Sequence, residues 1–152
     1  MPPRNKKPLF NLQVKIDPAV SKEIRRASRE FFPNEISFIL LGHRRKTFYH
    51  ITNAISISLG DENSLNITTL DRIHSIQVAQ GMGLTVLGDL HSHTVDLEKE
   101  LDCRHDFPSG TDWLNSTPGL LEAICFVKKY RSGKMRSWIT FWPGGVSPLK
   151  TV

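Results

Sequence analysis

The segment LTVLGDLHSH, residues 84–93, most narrows what this chain can fold into, because an apolar, strand-forming run leads straight into two histidines one residue apart. A run of that composition and length reads as a mostly buried strand, which needs other elements on both sides. Alternate residues of a strand share a face, so His91 and His93 present their imidazoles to the same side at the strand's C-terminal end. Two neutral imidazoles at about 2.0–2.1 Å suit a zinc ion. A His-x-His pair also arises as a polar strand end with no metal, so the pair needs further ligands before it is a site.

The rest of the chain supplies alternating α and β elements around that strand. NLQVKID, residues 11–17, alternates like a strand, and Asp17-Pro18 has the form of a helix N-cap followed by proline at the first helical position. In PAVSKEIRRASREFF, Val20, Ile24, Ala27 and Phe31 recur every three or four residues, predicting an amphipathic helix that ends at Pro33. EISFILLG and TFYHITNAISIS predict two strands joined in a hairpin at GHRRK, residues 42–46. TLDRIHSIQVAQG predicts a helix over 69–81, ended by glycine. After an acidic loop, SGTDWLNS can open a helix capped by Ser109, and EAICFVKKY and SWITFWP predict two last strands around the turn RSGKM.

At 152 residues the chain is expected to be one domain spanning residues 1–152, too short for a large barrel enzyme. Its 39% hydrophobic and 23% charged residues are ordinary for a globular protein, and no stretch is apolar for long enough to span a membrane as a helix. MPPRNKKPLF has positive charge without an apolar core or a cleavage site, so it does not read as a secretory signal, and a cytoplasmic location is expected. Cys103 and Cys125 form no disulfide framework and are expected reduced. The net charge of +5 is spread over several clusters rather than focused on one helix, which argues against nucleic acid as the main partner.

A third zinc ligand would come from a carboxylate, and the loop after the histidines offers Asp96, Glu98, Glu100, Asp102, Asp106 and Asp112. Asp112 stands out by position. With Ser109 as cap, it falls in the first turn of the following helix, where a carboxylate complements the helix dipole; plain capping accounts for it equally well. Glu35 opens an apolar strand, where a carboxylate is costly unless it has a task or a partner.

Three motifs occur in order: E-x-x-x-x-x-x-G from Glu35 to Gly42, G-x-x-H-S-H from Gly88 to His93, and P-S-x-x-D from Pro108 to Asp112. Together they resemble the JAMM/MPN+ zinc metalloproteases, and the order of elements fits over most of the chain. The resemblance implies a three-layer, cytidine-deaminase-like α/β fold with a mixed sheet flanked by helices. It makes His91, His93 and Asp112 ligands of one zinc ion, Glu35 the general acid/base for water at the metal, and Ser109 the helper that stabilises the tetrahedral intermediate. It further implies hydrolysis of an amide or isopeptide bond at the C-terminal tail of a ubiquitin-like or sulfur-carrier-like protein. The alternative is a non-catalytic MPN scaffold that binds ubiquitin-like domains or assembles a complex; the filled chemical positions favour the enzyme.

The chain departs from the family pattern in three places. Thr94 stands where the family has proline and Phe38 where it has glycine, and eighteen residues separate His93 from Asp112, a longer interval than usual. Lengthening a surface loop costs little free energy. Cys103 and His105 lie in that longer loop and are not assigned as ligands, since an acidic solvated loop is the simpler reading. PHP phosphoesterases and amidohydrolase barrels also open with H-x-H, but only 59 residues follow His93. A metallo-β-lactamase needs H-x-H-x-D-H, and Val95 and Asp96 occupy the last two positions.

Overall fold

The computed structural model describes residues 13–59, 69–96 and 120–143. They form β1 (Gln13–Ile16), α1 (Pro18–Glu30), β2 (Ile36–Arg45), β3 (Phe48–Leu59), α2 (Thr69–Gly81), β4 (Thr85–Asp96), β5 (Leu121–Lys129) and β6 (Met135–Pro143). The strands make one sheet in the order β1-β3-β2-β4-β5-β6. β1 with β3 and β4 with β5 run parallel, and the other pairs are antiparallel.

Helix α1 forms as its periodicity predicts, with proline in the first turn and Ile24 and Ser28 buried. Its cap differs from expectation. The Asp17 side chain makes no capping bond and instead pairs with His50 Nε2 at 2.7 Å, joining the helix start to β3. The Asp17 backbone carbonyl accepts from the N–H groups of Val20 and Ser21. α1 lies over Val14, Phe38, Leu40, Ile51, Leu90, Cys125, Val127 and Phe141, the main core. A smaller cluster of Ile39, Leu41 and Ala79 joins α2 to β2 and β4.

The three-layer α/β sandwich expected from the family resemblance is overturned. Strand residues outnumber helical ones by more than two to one among the described residues. The single sheet curls into a nearly closed, barrel-like surface. Long strands with register shifts at Ser37/Phe38, Leu40/Leu41 and Leu41/Gly42 allow this, because bulges bend strands and increase twist. α1 touches β3, β5 and β6, so the sheet wraps around it. α2 meets chiefly β4 and β2 and leaves Ile73 and Ile76 about half exposed, so it does not complete a second layer.

Two boundaries also shift. The first hairpin turns at Lys46 and Thr47, and Gly42 to Arg45 belong to β2. Gly42 is there for close approach: a Cβ at this position would lie 1.8 Å from the His50 carbonyl oxygen. The histidine strand continues to Asp96, which places His91 and His93 inside β4 rather than at its exit. Pairing with β5 through Asp96↔Lys129 supplies the extra ladder.

Candidate functional site

The site is built where β2 begins. β2 pairs with β4 from Ser37↔His91 onwards, while β5 follows β4 along its whole C-terminal half. His91 therefore sits between two strands, and His93 lies beside the residues that lead into β2. Their Nε2 atoms are 2.9 Å apart, with ring centroids 4.8 Å apart and planes inclined at 58°. One ring donates to the other across this contact. Tetrahedral zinc with bonds of 2.0–2.1 Å holds its nitrogen ligands about 3.3 Å apart, so small ring rotations would fit the pair to one ion.

Residues 33–36 are stitched to β4 on both sides of His93. The Ile36 N–H donates to Ser92 Oγ at 2.9 Å, and Thr94 Oγ1 donates to the Pro33 carbonyl at 2.9 Å. Both hydroxyls project to the face opposite the imidazoles, since side chains alternate along a strand. Half-buried Glu35 lies between these two bonds in the chain. Glu35 precedes β2 rather than opening it. Thr94 thus supplies one of the two bonds that hold the segment bearing Glu35. Phe38 fills the core beneath α1.

On the other side, His93 meets the edge of Phe126 at 5.8 Å and 89°, and Phe126 stacks on Trp138 at 5.4 Å and 25°. Lys128 Nζ lies 5.4 Å from the Trp138 ring. An apolar wall with a cationic rim flanks the histidines. Beneath His91 stands Glu122, a residue the sequence reading did not single out: its Oε1 is 3.4 Å from His91 Nδ1. Its signal in the sequence was weak, a lone acid at the start of the apolar strand LEAICFV. Asp89, also buried, precedes His91 by two residues on the same face.

Of the residues predicted for the site, His91 and His93 are in contact, and Glu35 lies in the segment that the Ser92 and Thr94 bonds hold beside β4. Ser109 and Asp112 lie outside the described residues, as do Cys103 and His105. Among the described residues no group of three or more histidine, cysteine or carboxylate side chains is arranged to hold a metal. The imidazole pair provides two donors of the right chemistry, and a third would have to come from elsewhere. No described helix is long and apolar enough to cross a membrane.

No family model matches the sequence, and no curated protein matches it. The fold is similar to that of a Desulfitobacterium hafniense protein solved in solution, at 18% identity and a TM-score of 0.57 over 91% of each chain. It is also similar to a Salinibacter ruber protein, at 22% identity and a TM-score of 0.55 over 85% of this chain and 80% of that one. The likeness is one of fold alone.

Proposed function

We propose that this protein is a zinc-dependent hydrolase of amide or isopeptide bonds, related in its site to the JAMM/MPN+ metalloproteases. The observation that carries the reading is the convergence of His91 Nε2 and His93 Nε2 at 2.9 Å beside the clamped segment that bears Glu35. His91, His93 and Asp112 would hold the ion. Bound zinc lowers the pKa of water from about 15.7 towards 7 and polarises a carbonyl.

The protein's own residues handle the protons. Glu35 takes a proton from the attacking water as the water oxygen bonds to the carbonyl carbon, then delivers it to the amine nitrogen as the C–N bond breaks. A carboxylate that is not a ligand keeps a lone pair for this task. Ser109 would donate to the developing oxyanion. The proposed substrate is the C-terminal tail of a ubiquitin-like or sulfur-carrier-like protein, lying extended beside the Phe126–Trp138 wall. A cytoplasmic setting suits the free, buried Cys125.

The test is zinc content by elemental analysis together with cleavage of ubiquitin-like fusions by wild type and Glu35→Gln. One zinc per chain in both proteins, with cleavage only in wild type, is expected. A wild-type chain that takes up no zinc, or Glu35→Gln cleaving at the wild-type rate, would overturn the reading. Binding of ubiquitin-like domains unchanged by Glu35→Gln, without cleavage by either protein, would point to a scaffold instead.

A further inference from the structure

We infer that the outer face of β1, β3 and β2, at the end where β2 turns into β3, is a docking surface for single-stranded nucleic acid. The inference stands apart from the zinc reading and uses none of its residues.

Basic residues that lie apart in the sequence meet here through strand pairing. β3 runs between β1 and β2, and its register sets Gln13 and Arg45 on either side of Phe48, and Lys15 and His43 on either side of His50. Directly paired residues share a face of the sheet, so these six side chains form two neighbouring rows of three. The intervening residues Val14, Tyr49 and Arg44 belong to the opposite face, where Val14 and Tyr49 are buried in the main core. The two rows therefore face outward: Gln13, Lys15, His43 and Arg45 are exposed, and the rings of Phe48 and His50 are half-buried. α2 packs on this face further along β2, against Ile39 and Leu41. Arg44 and Lys46, also exposed, add two positive charges at the hairpin tip. Asp17 reaches His50 Nε2 at 2.7 Å from the start of α1 and holds that ring in place.

Like charges on neighbouring strands repel, and an anionic ligand relieves the repulsion. The rings narrow the choice of anion. A single strand offers phosphates to the cations and open base faces to the rings. Phe48 and His50 have centroids 6.4 Å apart and planes inclined at 51°, so successive bases meet both rings only when unstacked, which a duplex does not allow. An anionic membrane would be met instead by apolar side chains that project into it, whereas Phe48 lies half-buried in the sheet between Gln13 and Arg45.

The test measures fluorescence anisotropy of labelled RNA and DNA strands of one mixed sequence, about 12 nucleotides long, and of their duplexes, over a range of salt concentrations. Phosphatidylserine vesicles are compared by co-sedimentation. Wild type is expected to hold single strands about tenfold more tightly than duplex, and the tighter of RNA and DNA names the source. Lys15→Ala/Arg45→Ala should lower the slope of log affinity against log salt by about 1.4, since each phosphate contact in a single strand contributes about 0.7. Phe48→Leu should weaken binding about tenfold with the slope unchanged, the mark of stacking rather than charge. The charge variant alters exposed side chains and serves alone if Phe48→Leu does not fold. Arg131→Ala/Lys134→Ala, in the exposed turn between β5 and β6, should leave affinity within twofold of wild type. No binding of either single strand, duplex or vesicles held as tightly as single strands, or equal losses in the two double variants would overturn the inference, whatever the zinc content of the protein.

Discussion

The hydroxyl of Ser92, the residue between the two site histidines, accepts the backbone N–H of Ile36 at 2.9 Å in the buried core. The first residue of β2 is thereby tied to the strand that carries the imidazoles. Glu35, immediately before it, inherits its position from this bond and from the Thr94–Pro33 bond.

Ser92→Ala removes the acceptor and leaves a buried N–H without it, which costs about 1–3 kcal/mol. Chemical denaturation should register that loss. On the proposed zinc hydrolase reading, the freed segment bearing Glu35 should lower cleavage more than zinc affinity, a split that paired kinetic and chelator measurements will reveal.

Zinc that binds only the folded chain stabilises it by mass action, by about 2.7 kcal/mol when free zinc is 100 times its dissociation constant. On the proposed zinc reading, thermal unfolding of wild type should therefore shift upward with added zinc and return with a chelator. In a His91→Ala/His93→Ala protein the curve should not respond to either.

Burial pushes the Cys125 thiol up to about 11 from an ordinary value of 9.0, against the pull of Ser28, Arg25 and Arg29. The folded chain therefore keeps a proton that the unfolded chain releases. Its contribution is full below about pH 9 and is lost as pH rises towards about 11, a change on the order of 3 kcal/mol. Wild type should lose more stability than Cys125→Ala across that window in urea titrations. At neutral pH the thiol should resist alkylation until the protein unfolds.

A Cβ added at Gly88 would sit 2.0 Å from the Leu121 carbonyl oxygen, a backbone atom in the neighbouring strand. Gly88→Ala must push β4 and β5 apart and should cost about 3 kcal/mol, the upper end for overpacking. At Gly133, whose φ is +83° in open space, Gly133→Ala meets only backbone strain, about 1–2 kcal/mol. Melting temperatures of the two variants should differ in that order.

How much of this was legible in advance depended on range. The α1 stripe of Val20, Ile24 and Ala27, the α2 segment and the strand character of β2 to β6 rest on periods of 3.6 and 2, which neighbouring residues set between themselves. The shared face of His91 and His93 follows from the same alternation. Tertiary pairing decided what lies further apart in the chain: that β5 joins β4 in parallel and brings Glu122 behind His91, and that Ser92 and Thr94 clamp residues 33–36. It also decided that bulged strands would curl about α1 instead of lying flat between helix layers. Side-chain order along a strand is a property of the local backbone, whereas the choice of neighbouring strand and its register balances burial over the whole sheet, and no short segment carries that information.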